Sequence, residues 1–220
     1  DYHNGNYGRC CTDFLAEELN VLAHDFKDYE LSGSIFTVLG VGLTRDLDWM
    51  RLACRKYGMR GEIFEASDKG CLNAERKIEQ LGISSLVTIY QEEVTGAEGQ
   101  INIESLLLFA SGFVQAQVKY DQKVDKFVSS PEQAQLIMQR IGKLLNRPRS
   151  RAVLVHPDKI KNQKVRWGKS IPYSWNTLLE WASEGSDSKI SVVPNREVEI
   201  PYWNGNHIYE AKTIAVTPVA

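Results

Sequence analysis

The sequence predicts an α/β domain: a mostly parallel β-sheet flanked by helices, with an antiparallel strand pair at the C-terminus. Three observations carry the prediction. Short apolar runs alternate with stretches of helical periodicity as far as Val155, the pattern of a parallel sheet built from right-handed crossovers. The first run, Ile35-Phe36-Thr37-Val38-Leu39, leads straight into Gly40 and Gly42. The chain then ends on close-spaced alternating runs at 190–193, 197–200 and 213–216, which is antiparallel texture.

Taken in order, residues 1–11 are rich in Gly, Asn and Tyr and read as a loop or arm. Thr12-Asp13 can cap a helix that places Leu15, Leu19, Leu22 and Phe26 on one face. The first strand, 35–39, lacks polar alternation, as a strand buried on both faces does. A helix follows over about 46–57, with Leu47, Met50, Ala53, Cys54 and Tyr57 at helical spacing. A second strand is predicted near 61–65 and a helix over 68–81 that stops at Gly82. The third strand is 86–90, ending at Gln91-Glu92-Glu93, and the fourth is 105–110. Ser130-Pro131-Glu132-Gln133 marks a helix start, with Ser as N-cap and Pro at the first position. Ala152 to Val155 is the fifth buried strand and ends at His156-Pro157-Asp158. A polar connection, Lys159 to Tyr173, leads to a short helix with Trp175, Leu178, Leu179 and Ala182.

Gly40 and Gly42 therefore lie on a tight turn from a buried strand into a helix. Such a turn lets backbone approach a ligand with no side chain between them, and the helix N-terminus favours polar or anionic groups. The next strand ends on Glu65. An acidic residue about 20 residues past the glycines is placed to accept from the two hydroxyls of a ribose. The third glycine of the dinucleotide fingerprint is absent, since Thr44 and Arg45 stand near its place.

V-L-G-V-G-L-T-R-D at 38–46 and I-F-E-A-S-D at 63–68 resemble the first two motifs of class I S-adenosylmethionine-dependent methyltransferases, a Rossmann-like superfamily. The resemblance is specific over Ile35 to Asp68 and extends to most of the chain in element order. It implies S-adenosylmethionine as cofactor, held by Gly40, Gly42, Asp46 and Glu65, with Ser67 beside them. It also implies that Glu92, at the end of the third strand, meets the adenine amino group. Ser67 and Asp68 can equally cap the following helix. The family places its catalytic motif after the fourth strand, where this chain has F-A-S-G-F at 109–113. That departs from the N-P-P-Y or D-P-P-Y of amino-directed enzymes and leaves no obvious general base. Ser111 and His156 are the catalytic candidates, with His156 the best placed to act as a base. Tyr120, Asp121, Asp125 and Asp158 are further strand-end groups.

Composition sets the remaining bounds. With 43% apolar and 25% charged residues over 220 positions, the chain fits one soluble domain. It contains no run of 18 apolar residues, and none of Cys10, Cys11, Cys54 and Cys71 forms a C-x-x-C pair. Reduced thiols in a cytoplasmic or nuclear protein are expected, and no metal site. The start, without Met, fits a fragment or a processed chain. Net charge is −2, yet Arg140 to Lys169 holds ten Lys/Arg against Asp158 alone, +9 against −11 for the rest. Lys161, Lys164 and Arg166, with Trp167 for stacking, could bind RNA phosphates and bases; a solvated helix face is the plainer role of such a run.

These observations define one domain: 1–33 an arm and helix, 34–157 a cofactor-binding core, 158–220 a substrate-side connection and terminal strands. The predicted activity is methyl transfer, with RNA ahead of protein or a small molecule as acceptor. The alternatives are a catalytically silent Rossmann-like module of a larger assembly and a nicotinamide-dependent oxidoreductase.

Overall fold

The computed structural model describes residues 5–26, 31–40, 47–92, 105–111, 117–121, 126–129, 131–160, 173–201 and 207–217. The helices are α1 (Gly5–Phe26), α2 (Trp49–Tyr57), α3 (Asp68–Gln80), α4 (Pro131–Leu144) and α5 (Trp175–Glu184). The strands are β1 (Ile35–Leu39), β2 (Arg60–Phe64), β3 (Val87–Tyr90), β4 (Ser105–Ser111), β5 (Gln117–Asp121), β6 (Lys126–Ser129), β7 (Arg151–Ile160), β8 (Ile190–Pro201) and β9 (His207–Val216).

Seven strands form one sheet in the order β3-β2-β1-β4-β7-β9-β8. The first five are parallel to one another, and β9 runs antiparallel to both β7 and β8. The strand order reverses between β1 and β4, which makes the carboxyl ends of those strands the topological switch point where open α/β sheets bind ligands.

Alternation along the strands divides the core. Phe36, Val38, Ile63, Leu107, Phe109 and Val153 pack with α1, α2 and α3 on one face. Leu39, Phe64, Leu108, Ala110, Leu154 and Ile214 pack with α4 and α5 on the other. On the first face Trp49 stands edge-on to Phe36 at 4.9 Å and to Phe109 at 6.0 Å. On the second, α4 and α5 approach backbone to backbone. A Cβ on Gly142 would strike the carbonyl oxygen of Ala182, and one on Gly185 that of Gln139.

The structure moves several predicted boundaries and adds a hairpin. α1 begins at Gly5, so residues 5–11 are helix where the sequence suggests an arm. Extending a nucleated helix adds one hydrogen bond per residue, and that outweighs the modest propensity of Gly and Asn. β7 runs to Ile160, through the predicted strand end at His156-Pro157-Asp158. Its register slips between His156 and Lys159, and a local slip tolerates a proline that has no N–H to give. The runs at 190–193 and 197–200 are one strand, β8, with an irregularity between Val192 and Glu197 where Asn195 takes a φ of 61°. The β5–β6 hairpin, apart from the main sheet, was not foreseen. Ser130, predicted as the N-cap of α4, lies outside the described residues, as do residues 1–4.

α1 is tied to the sheet by a buried acid. Glu18 has no solvent exposure. It accepts from Arg151 Nη1 of β7 at 3.2 Å and is bonded on its other oxygen by Arg196 of β8. No helix among the described residues is long and apolar enough to cross a membrane.

Candidate functional site

Three strand ends are drawn together at the switch point by backbone hydrogen bonds. Gly40 N–H donates to Phe64 O at 2.9 Å, and Glu65 N–H donates to Tyr90 O at 3.0 Å. Gly40, Glu65 and the residues after Tyr90 therefore stand side by side. Gly40 has a φ of 74°. That left-handed backbone is open to glycine and strained for residues with a Cβ, so the chain can leave β1 sharply only with glycine here.

Glu65 is the best-defined side chain of the group. It is 5% exposed. Its Oε1 accepts from Ser67 N–H at 2.9 Å and from Ser67 Oγ at 2.8 Å. Ser67 Oγ in turn accepts from Gly70 N–H at 3.1 Å as the N-cap of α3. The hydroxyl thus caps the helix, as the sequence predicts, and also braces the carboxylate. The helix N-terminus adds a favourable dipole for the negative charge. Cys71 Sγ lies 3.4 Å from Glu65 O. Burial, and then the nearby Glu65, Glu75 and Asp68 charges, push the Cys71 thiol pKa up.

A carboxylate has about four acceptor positions, and the two bonds from Ser67 converge on one oxygen. The group is held by Ser67 at the carboxyl end of β2, and a carboxylate held in place suits bidentate recognition of a diol. Glu92 follows β3 and is exposed. Gln91 Nε2 donates to Asp68 Oδ1 across the gap between β3 and α3. Phe64 and Tyr90 stack with centroids 5.0 Å apart at 19°.

Two of the substrate-side candidates lie on neighbouring strands. Ser111, the last residue of β4, pairs with Val155 in the parallel β4–β7 ladder, so His156 lies one position further along the neighbouring strand, which continues to Ile160. Across the antiparallel ladder His156 is opposite Glu210. Glu210 was not foreseen. It is buried at 7% exposure, accepts from Trp175 Nε1 at 2.8 Å and lies 3.4 Å from Lys212 Nζ. Lys212 Nζ also stands 5.0 Å from the Trp175 ring centre. A Glu alternating with Tyr209 and Ala211 in a strand carries no distinguishing signal in sequence.

Gly42, Asp46, Lys161, Lys164, Arg166, Trp167 and Asp125 lie outside the described residues. The basic stretch is not one face. Arg140 and Lys143 belong to α4, Arg147 and Arg149 to the turn that follows, and Arg151 to the amino end of β7. Arg151 therefore stands at the amino end of β7, the end away from the site, and is engaged by Glu18.

No protein-family model matches the sequence, and no curated protein matches it. Solved structures do. The chain is similar to the m1A22 tRNA methyltransferase TrmK of Bacillus subtilis at 14% identity, over 99% of this chain and 68% of that one, with a TM-score of 0.53. It is similar to the geranyl diphosphate C-methyltransferase of Streptomyces coelicolor A3(2), a structure that contains S-adenosyl-L-homocysteine. That match has 13% identity, covers 90% and 79% of the two chains, and gives a TM-score of 0.52. The cyclase SpnF matches at 11% identity over 93% and 82%, with a TM-score of 0.58.

Proposed function

Starting from the class I S-adenosylmethionine-dependent methyltransferase fold, which this chain has, we propose that it binds S-adenosylmethionine at the ends of β1, β2 and β3 and transfers the methyl group to RNA. The observation that carries the cofactor reading is Glu65. It is a buried carboxylate, braced by Ser67, at the end of the strand next to Gly40. The fold alone does not choose a reaction, because one fold hosts several, and a cyclase is among its structural neighbours.

The residues present fit the cofactor. Glu65 would accept from the ribose hydroxyls, Gly40 and Gly42 would give its amino-acid part close access to backbone, and Glu92 would accept from the adenine amine. Ser67 orients Glu65, and Asp46 lies at the start of the predicted helix. When bound, the sulfonium supplies an activated methyl group. The protein's part is proximity and alignment of the acceptor with the methyl–sulfur bond, which can supply much of the rate without a general base. Ser111 and His156, on the neighbouring strands β4 and β7, are the groups we assign to the acceptor. His156 would take the proton an amine or hydroxyl acceptor releases.

RNA is favoured over protein or a small molecule by the five Lys/Arg, with no acid among them, between Lys159 and Lys169, and a structural neighbour is a tRNA methyltransferase. Lys161, Lys164, Arg166 and Trp167 would hold the strand. The test is transfer of a labelled methyl group from S-adenosylmethionine to total RNA, with filter binding of short RNAs at rising salt. The expected result is label in RNA and an affinity that falls steeply with salt. The triple reversal of Lys161, Lys164 and Arg166 to Glu should flatten that slope and leave S-adenosylhomocysteine binding intact. Absence of RNA retention at low salt would remove RNA as acceptor.

A further inference from the structure

Three strands carry one row of ionisable residues across the sheet. The ladders set His156 of β7 opposite Glu210 of β9, and Glu210 opposite Glu199 of β8. Directly opposed residues of an antiparallel pair lie on one face of the sheet, with Cβ atoms about 4.5–5.5 Å apart. Leu154 of β7 and Ile214 of β9 share that face and pack with α5. The row lies one position beyond the level at which β4 ends on Ser111, at the end of the sheet where the acceptor is proposed to sit.

Glu210 is the fixed member of the row. It is buried, and its Oε2 accepts from Trp175 Nε1 of α5 and stands near Lys212 Nζ. Lys212 is shared, since its Nζ also lies 3.2 Å from Glu197 Oε2. The charges set around the position opposite His156 are therefore three acids, Glu197, Glu199 and Glu210, against one cation, Lys212. Asp158 follows on β7 itself, past the slip in register. α5 contributes the uncharged indole of Trp175.

We infer that Glu210 is the positioning residue of His156: it orients the imidazole and carries the counter-charge for the proton that His156 takes. The inference rests on the reading in which His156 is the base of methyl transfer. His156 receives the proton of the acceptor N–H or O–H as the new methyl bond forms there, and the electron pair of the broken methyl–sulfur bond stays on sulfur. The positive charge therefore ends on His156. A buried carboxylate at the opposed strand position stabilises it, with no reorganisation at the moment of reaction. Because Trp175 and Lys212 hold Glu210 in place, the counter-charge is set before the acceptor arrives.

NMR titration of the His156 imidazole in the wild-type protein reads the pairing without any activity. The midpoint is expected above that of a histidine in a model peptide, about 6.5, because a facing negative charge favours the imidazolium. Glu210→Gln keeps an acceptor for the Trp175 indole and should lower the midpoint by about one pH unit. Lys212→Met should raise it, since it removes the cation that offsets Glu210. The acid limb of the pH–rate profile for methyl transfer to RNA should move down with the midpoint in Glu210→Gln, with S-adenosylhomocysteine affinity unchanged. A glutamate that only anchors α5 would alter the melting temperature and leave the titration in place. Midpoints that move as expected in a protein that transfers no methyl group would support the pair and count against the proposed reaction. Two results overturn the inference: a wild-type His156 that titrates at or below the peptide value, or a midpoint that neither Glu210→Gln nor Lys212→Met moves.

Discussion

Gly70 faces the carboxyl group of Glu65 with no room for a side chain between them. A Cβ built on Gly70 would lie 2.5 Å from Glu65 Cγ and 2.7 Å from Ser67 Oγ. The first turn of α3 can therefore close on Glu65 and fix its carboxylate only with glycine at this position. Gly70→Ala is expected to displace Glu65 and weaken S-adenosylhomocysteine binding by roughly tenfold or more, the equivalent of about 1.4 kcal/mol. Elsewhere in a helix the same change gains up to about 1 kcal/mol of stability. A Gly70→Ala variant that melts higher and binds as before would contradict this role for Glu65.

Glu65 itself separates charge from shape. Glu65→Ala removes the acceptors of both ribose hydroxyls and should cost about 3 kcal/mol of cofactor affinity, one or two charge-assisted hydrogen bonds. Glu65→Gln keeps one acceptor oxygen and should cost less. Calorimetry on both variants checks the order. Equal affinities for wild type, Gln and Ala would move the ribose contact to another residue, with Asp68 the next acid along the chain.

The fold depends on a second glutamate. Replacing Glu18 by Ala leaves Arg151 and Arg196 without the carboxylate that joins them. Breaking a buried pair in this way costs on the order of 3–5 kcal/mol. Urea unfolding of Glu18→Ala should show a midpoint lowered to match, with little change in slope. A loss under about 1 kcal/mol, typical of exposed pairs, would show that the network contributes little to holding α1 on the sheet.

Cys54 imposes a pH limit. Burial pushes its thiol from 9.0 up to about 11, with Arg55 opposing. The unfolded thiol loses its proton near 9.0, whereas the folded one keeps it to about 11. In that window the unfolded state binds fewer protons, so stability falls as pH rises. Cys71 is shifted the same way. Unfolding curves across the window should be flatter for Cys54→Ala than for wild type. Parallel pH dependences would show that the thiol does not titrate differently on folding.

The parts legible in the sequence are those that depend on neighbours in the chain. Ile35 to Leu39 is apolar without alternation and is β1; Ser67 sits three residues before Gly70 and is the cap of α3. Counting from the glycines singles out Glu65, and the backbone puts it beside Gly40. What escaped depends on distant partners or on exceptions to local rules. Glu18 is 133 residues from Arg151 and 178 from Arg196, so nothing around it marks it as buried. Glu210 is buried against Trp175, 35 residues earlier, whose indole N–H donates to it. Pro157 signals a strand end by its missing N–H, yet β7 continues past it through a shift in register. The β5–β6 hairpin has strands of only five and four residues, Q-V-K-Y-D and K-F-V-S, and the alternation of Val118 and Tyr120 covers too little chain to stand out.

The central claim is that the ends of β1, β2 and β3 form an S-adenosylmethionine site. It is tested most directly by calorimetric titration of the wild-type protein with S-adenosylhomocysteine, S-adenosylmethionine and NAD side by side. The account predicts saturable one-to-one binding of the first two and no heat from NAD. Binding of NAD instead, or no heat and no thermal shift with S-adenosylhomocysteine at millimolar concentration, would contradict it.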